Sequence, residues 1–241
     1  NPGFKKWIKY IWTGLAAVVL GIAFLFFAIS QSFLGDMPEV QELENPDIYV
    51  ASEIISSDGV QLGKFEKEKT IPITYKDLPQ HLIYALQAKE DERFREHSGI
   101  DMKSIARAIR YGGARGGGST ITQQLAKLLF TGNASQNKIQ RAFQKLKEWV
   151  VAVSLEKRYT KEEIVTLYFN KFDFLHNANG IELASKIYFN KSAKDLNLSE
   201  AATFVAMLEN PRRNNPISYM DRAIKRRNVG LYQMLETGYI D

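Results

Sequence analysis

The stretch Ala88–Asp101, AKEDERFREHSGID, gathers five carboxylates, three basic residues and a histidine around Phe94. In the text leading into it, LPQHLIYALQAKEDERF, Leu82, Leu86, Glu90 and Phe94 recur at every fourth position. That spacing predicts a helix with Glu90 in its apolar stripe and with Asp91 and Glu92 pointing elsewhere. Burying a carboxylate costs several kcal/mol unless it is paired or protonated. An acid in this position is therefore either satisfied by a buried cation or held at a raised pKa for proton transfer. The alternative is a helix that ends near Lys89 and leaves Glu90 on a rim. Periodicity leaves both readings open.

A second stretch, ARGGGSTITQQLAKLLF at 114–130, has other chemistry to offer. Gly116, Gly117 and Gly118 can bring backbone N–H groups close to a ligand. Ser119 or Thr120 can cap the helix that follows, whose apolar residues are Ile121, Leu125 and Leu128. Its other face carries Thr120, Gln123 or Gln124, and Lys127. A glycine loop entering a helix, with hydroxyls and a lysine, makes a plausible anion cradle. It lacks the Gly-Lys-Ser/Thr ending of a Walker A loop. Downstream, 137–158 reads as a basic helix that turns apolar and carries Glu148 and Glu156; the helical wheel does not single out Glu148 as it does Glu90. His81, His97 and His176 show no metal-ligand spacing, and the absence of cysteine excludes disulfides and thiolate metal sites.

These stretches need elements to hold them. From Tyr10 to Gly35 there is no charged residue, which is long enough for a membrane-spanning helix. Lys5, Lys6 and Lys9 precede it, and Asp36, Glu39, Glu42 and Glu44 follow, so the N-terminus is expected inside and the rest outside. A cleaved signal peptide competes with a retained anchor, but QSFLGD is a poor cleavage site. Residues 1–9 read as a basic cytoplasmic tail, 10–35 as the anchor and 36–75 as a membrane-proximal linker with a small hairpin around Asp58-Gly59. Residues 76–241 are helical text broken near 112–119, 131–137 and 176–180. The chain has 241 residues, 45% hydrophobic and 24% charged, so it is globular and not disordered. Its net charge of +5 suits an anionic partner. The first residue is asparagine and the last residues form no polar tail, so a longer native protein is expected.

Taken together, the stretches resemble the peptidoglycan glycosyltransferases, the family shared by class A penicillin-binding proteins and monofunctional transglycosylases. The first motif is matched by Glu90-Asp91, Phe94, His97 and Gly99, and the second by GGSTITQQLAK at 117–127. The third is carried by Lys145, Glu148, Ala152, Leu155 and Glu156, with Gln144 where an arginine is expected. The fourth is carried by Ile164, Leu167, Tyr168, Asn170, Gly180, Ala184 and Tyr188-Phe189, with Leu175 and Asn179 as departures. The fifth is Leu198, Glu200-Ala201-Ala202, Asn210-Pro211 and Asn215-Pro216. RRNVGLYQMLETGYI at 226–240 looks like the closing helix, and the resemblance covers about residues 50–241. Gly116 stands where a polar residue is common.

The resemblance implies a mainly α, lysozyme-like bilobed helical domain with a small β element, preceded by one transmembrane helix. It implies polymerisation of lipid II: the 4-hydroxyl of an acceptor N-acetylglucosamine displaces a polyprenyl pyrophosphate with inversion. Glu90 takes the part of general base. Lys127 matches the phosphate-contacting lysine, Arg141 and Lys138 are candidates for a second cation, and Glu148, counted with Glu90 as catalytic, falls on the donor side, where it would orient those cations. The implied substrate-binding set is Asp91, Phe94, His97, Gly117, Gly118, Ser119, Thr120, Gln123, Gln124, Lys127, Arg141 and Lys145. Of these, Asp91, Phe94 and His97 are expected to hold the cleft, and Ser119, Thr120 and Gln123 to shape it beside Glu90. No cofactor is obligatory; a divalent cation, Mg2+ or Mn2+, is compatible, with Glu148 as the candidate ligand. The implied partners are lipid II, the growing glycan strand, membrane lipids and other cell-wall synthesis proteins, and no nucleic acid. The implied location is a bacterial cytoplasmic membrane, crossed once, with the catalytic domain outside. A non-catalytic lipid II-binding scaffold and a lysozyme-like lytic enzyme are the other readings.

Overall fold

The computed structural model describes residues 2–30, 52–58, 61–65, 70–112, 117–132 and 135–241. The end of the expected span at 31–35, the linker residues 36–51, Gly59 and Gly116 lie outside these. In chain order the elements are α1 (Pro2–Ser30), β1 (Ser52–Ile55), β2 (Gln61–Phe65), α2 (Gln80–Glu90), α3 (Met102–Arg110) and α4 (Ile121–Ala126). A π-turn (Lys127–Thr131) follows, then α5 (Lys138–Glu156), α6 (Lys161–Lys171), α7 (Ile181–Phe189), α8 (Leu198–Glu209) and α9 (Met220–Glu236). The protein is mainly helical, as the sequence pattern predicts. The strands pair antiparallel, Ser52 opposite Phe65 and Ile54 opposite Gly63, with a bulge before Ile55.

Helix α8 forms the centre. Ala201 to Leu208 are buried almost without a break, so the helix is covered on all sides. Helices α2 and α9 pack on it and on each other. Leu82 and Leu86, the apolar stripe of α2, are fully buried there. Phe174 and Phe189 meet Phe204 of α8 edge-on, with ring centroids 5.1 Å apart in both pairs. Around this core the helix starts are fixed by short polar side chains. Asp101 caps α3, Thr120 α4 and Asn137 α5, and full capping boxes open α6 (Thr160 with Glu163) and α8 (Asn197 with Glu200).

Helix α1 holds one apolar segment, Lys5–Ile29, of 25 residues with mean hydropathy 2.3, long and apolar enough to cross a membrane. Its last turn returns to the domain. Ala28 and Ile29 are buried, and Phe26 stacks on Trp149 of α5, with centroids 6.2 Å apart and planes at 18°.

Two local expectations need correction. Helix α2 stops at Glu90, so Phe94 does not extend its stripe at helical spacing; Phe94 is buried from the turn that follows. Leu128 is not a core residue of α4 but is 39% exposed. The cause is the π-turn, closed by the Gly132 N–H on the Lys127 carbonyl at 2.9 Å. Its wider turn rotates Leu128 outward and brings Leu129 and Phe130 against the core instead.

Candidate active site

Helix α2 ends because Asp91 leaves helical geometry, at φ −161° and ψ 76°. The buried Asp91 carboxylate accepts from His97 Nε2, 3.0 Å from each oxygen, and from the Ile121 N–H at 3.1 Å. Ile121 is the first residue of α4, whose opening N–H groups have no partner inside the helix. Asp91 thus ties the end of α2 to the start of α4. Gly99 makes a second tie. Its carbonyl accepts from Thr120 Oγ1 at 2.8 Å and from Gln123 Nε2 at 3.1 Å. Gly99 has φ +91°, and a Cβ there would lie 2.9 Å from the Ala152 backbone of α5. Only glycine fits.

These ties settle which glutamine faces Glu90. Gln123 turns inward to Gly99, whereas Gln124 Nε2 donates to Glu90 Oε2 at 2.9 Å. The Tyr168 hydroxyl donates to Gln124 Oε1 at 2.8 Å, which fixes the amide with its NH2 toward Glu90. Burial pushes the Glu90 carboxyl above its ordinary range; the Lys89 charge and the Gln124 hydrogen bond hold it back, and the Glu209 and Asp91 charges add to the rise. Tyr168 is raised well above its ordinary value, first by burial and then by the charge of Glu90, so it serves as a neutral donor. Glu90 itself is half-buried and opens onto a cavity of about 290 Å3 between the end of α2, α3, Gly117 and the last turn of α9.

A cation cluster stands on α5. Arg141, Lys145, Glu148, Ala152 and Leu155 fall on one stripe of this helix. Glu148 is 1% exposed, and its oxygens accept from Lys145 Nζ at 2.7 Å and Arg141 Nη1 at 3.1 Å. Lys145 also donates to Ser119 Oγ at 2.8 Å. About a third of the Lys145 and Arg141 side chains remains exposed, at 32% and 36%. Two cations are thereby held beside the glycine loop by an acid that water does not reach. Both Glu148 oxygens are occupied by these cations, and among the described residues no group of three or more His, Cys, Asp or Glu stands where it could hold a metal ion.

The remaining expected residues fall as follows. Phe94 is buried, with Lys161 Nζ 4.2 Å from its ring centroid. Lys161 also donates to the His97 carbonyl at 2.7 Å and to Glu156 at 2.8 Å, so Phe94 and His97 are structural supports. Thr120, not Ser119, is the helix cap, accepting the Gln123 N–H at 3.1 Å. Gly118 packs closely on α3; a Cβ there would meet Ile105 Cα at 3.2 Å. Gln144, where the resemblance expects arginine, accepts the Ser135 N–H at 2.9 Å. Lys138 is exposed. Lys127 opens the π-turn one helical turn beyond Gln124, so their Cβ atoms are about 5–6 Å apart. Neither Lys127 nor the Lys145–Glu148 pair is among the residues that line the cavity at Glu90. The sequence reading assigned no role to Tyr168 or to Gly99 beyond their motif positions.

A helical domain with one half-buried acid at raised pKa and a separate cation cluster is suited to proton removal and anion stabilisation at neighbouring points. Comparison with known proteins defines it further. The Transglycosylase family model matches residues 58–235, and the chain belongs to this family. It is 35% identical over 239 residues to penicillin-binding protein 1A of Pseudomonas aeruginosa, covering 97% of this chain and 28% of that protein. It is 36% identical over 243 residues to penicillin-binding protein 1A of Vibrio cholerae, covering 98% and 28%. The chain thus spans under a third of these relatives. Among solved structures it is similar to penicillin-binding protein 1A of Haemophilus influenzae, with 25% identity, a TM-score of 0.44, and coverage of 81% of this chain and 19% of that one.

Proposed function

We propose that this chain is a peptidoglycan glycosyltransferase that polymerises lipid II. Family membership supports the reaction class, and the position of Glu90 carries the mechanism. The acceptor hydroxyl is a weak nucleophile and needs a base within hydrogen-bond reach. Glu90 takes the proton of the acceptor 4-hydroxyl as that oxygen bonds to the donor's anomeric carbon. The bond from this carbon to the pyrophosphate oxygen breaks, and its electron pair leaves with the pyrophosphate. Attack from the face opposite the leaving group gives inversion.

Raised by burial, the carboxyl is a better base than an exposed glutamate would be, and Gln124 keeps one of its oxygens oriented. The leaving pyrophosphate needs no proton if its growing charge is met by fixed cations. Lys127, Lys145 and Arg141 fill that role, with Glu148 and Ser119 holding the latter pair in place. Helix α1 serves as a membrane anchor with its N-terminus inside. Tethering confines the enzyme to the surface in which a lipid-linked substrate diffuses and raises its effective concentration. The test is polymerisation of purified lipid II by the chain and by its Glu90→Gln variant. Unchanged turnover in the variant rejects the mechanism.

A further inference from the structure

Lys89 stands one residue before Glu90, and it is held unlike the other paired lysines of the chain. Its side chain is 9% exposed, yet the oxygens that hold it are distant: the Val205 carbonyl at 3.4 Å and Glu209 Oε2 at 3.5 Å. By contrast, Lys145 meets Glu148 at 2.7 Å, and Lys161 meets Glu156 at 2.8 Å and the His97 carbonyl at 2.7 Å. A bond between an ammonium and a carboxylate normally closes to about 2.7–2.9 Å. Lys89 is therefore not the closed half of an ion pair. A shielded ammonium so loosely held is costly to the fold, and its charge stays available to groups nearby.

The group within its reach is Glu90. Consecutive residues of a helix point about 100° apart. The last turn of α2 thus turns Glu90 to Gln124 of α4 and Lys89 to the end of α8, and both line one cavity. The other charged or titratable groups around Glu90 are Asp91 and Glu92 from the turn after α2, Arg107 from α3, Tyr168 from α6, Glu209 from α8 and Glu236 from α9. Acids outnumber bases in this set, and acids favour a protonated carboxyl. Burial pushes Glu90 the same way; against it stand first the Lys89 charge and then the Gln124 hydrogen bond, while Glu209 and Asp91 side with burial. The guanidinium of Arg107 is engaged at Ser104 Oγ, 3.1 Å away.

Glu209 divides its two oxygens between Lys89 and Arg226 of α9, each at 3.5 Å, and its own side chain is 43% exposed. Charges thus alternate outward from the base, Glu90, Lys89, Glu209 and Arg226, across α2, α8 and α9, and each tempers the next. Resting on the transferase reading above, we propose that Lys89 is a positioning residue for the general base: its ammonium holds Glu90 in the charged, proton-accepting form, and Glu209 sets how much of that charge Glu90 feels. Lys89 acts through Glu90 and not on the reacting atoms. Without it, burial and the surrounding acids leave more of the Glu90 carboxyl protonated and unable to take the acceptor proton.

The test follows Glu90 ionisation directly, by infrared spectroscopy of the full chain in detergent micelles across a pH series, with lipid II turnover measured on the same samples. The protonated-carboxyl band that Glu90→Gln abolishes reports Glu90 alone. In Lys89→Met this band is expected to persist to higher pH than in the wild type. Turnover on the acidic limb is expected to fall about three- to tenfold, with a much smaller change on the alkaline plateau. In Glu209→Gln, which removes the competing acid, band and limb are both expected to move to lower pH. Opposite shifts separate a charge effect from loss of packing, and the exposure of Glu209 lets its variant read that charge without disturbing the core. Band and limb unchanged in both variants, or moved in the same direction, overturn the proposal. Absence of polymerisation by the wild-type chain rejects the transferase reading, whereas the infrared titration needs no turnover and decides this one separately.

Discussion

Gln124 donates to the Glu90 carboxylate at 2.9 Å while its own oxygen is held by the Tyr168 hydroxyl at 2.8 Å. A buried tyrosine, whose hydroxyl burial and the Glu90 charge hold further from ionisation, thereby orients an amide that in turn orients the Glu90 carboxyl.

This relay gives a pH prediction with a definite sign. A hydrogen bond donated to a carboxylate favours its charged form, so Gln124 opposes the rise that burial imposes on Glu90. Gln124→Met removes the donor and raises the Glu90 pKa further. Because the base must be ionised, the acidic limb of the rate–pH profile is expected to move to higher pH, with a smaller loss on the alkaline plateau. A limb that stays in place, or moves to lower pH, contradicts the relay.

Gly99 is expected to tolerate no side chain. Its positive φ and the 2.9 Å approach to Ala152 give Gly99→Ala a cost of roughly 2–5 kcal/mol, read as a lowered midpoint in denaturant. Gly230 is the control. It lies inside α9 with nothing within 4 Å of its Cβ position, and Gly230→Ala is expected to be stabilising by up to about 1 kcal/mol.

The Glu148 cluster is asymmetric in burial, and its variants should be asymmetric in stability. Removing both cations, by Arg141→Ala with Lys145→Ala, strands a buried carboxylate and is expected to cost about 3–5 kcal/mol. Glu148→Gln leaves two cations that can reach water, so it should cost distinctly less. Both changes are expected to slow polymerisation, since both loosen the leaving-group side. Thermal melts of the two variants check the order.

Asp101 carries an acid-sensitive part of the fold. Burial raises its carboxyl, but the Arg93 hydrogen bonds, two at 2.7 Å, together with the Ser104 N–H and hydroxyl and the Arg93 charge, outweigh this and lower it from 3.8 to about 2. A carboxyl depressed on folding stabilises fully above its unfolded pKa and loses that contribution as the pH falls toward the folded one. Asp101→Asn is therefore expected to cost roughly 1–3 kcal/mol at neutral pH. The gap between variant and wild type should close between about pH 4 and pH 2. Urea titrations across that window measure it.

Much of this was legible in the sequence, and the exceptions have physical causes. Leu82 and Leu86 marked the buried face of α2, and the four-residue spacing placed Glu90 on it, at the helix's last turn. Spacing could not separate Gln123 from Gln124, because the choice depends on the Gly99 carbonyl more than 20 residues away. Asp91 was expected to point away from the apolar stripe and to hold the cleft, but spacing could not show that it does so through a backbone N–H 30 residues on. The π-turn at Lys127 is a one-residue change of period that a helical wheel cannot show, and it displaced Leu128. Glu148 escaped the wheel for the opposite reason. Its stripe was sought as apolar, but its first members are Arg141 and Lys145, so the pattern of charges seven and three residues upstream held the signal.

The central claim is that Glu90 is the general base, and one measurement bears on it most directly: lipid II turnover by wild type and Glu90→Gln, with melting temperatures taken on the same samples. A positioned general base contributes about 10²–10⁴-fold, so turnover is expected to fall by that factor. The amide carries no charge to bury, so the variant is expected to melt no lower than the wild type. Turnover within a few-fold of wild type in a fully folded variant would contradict the account.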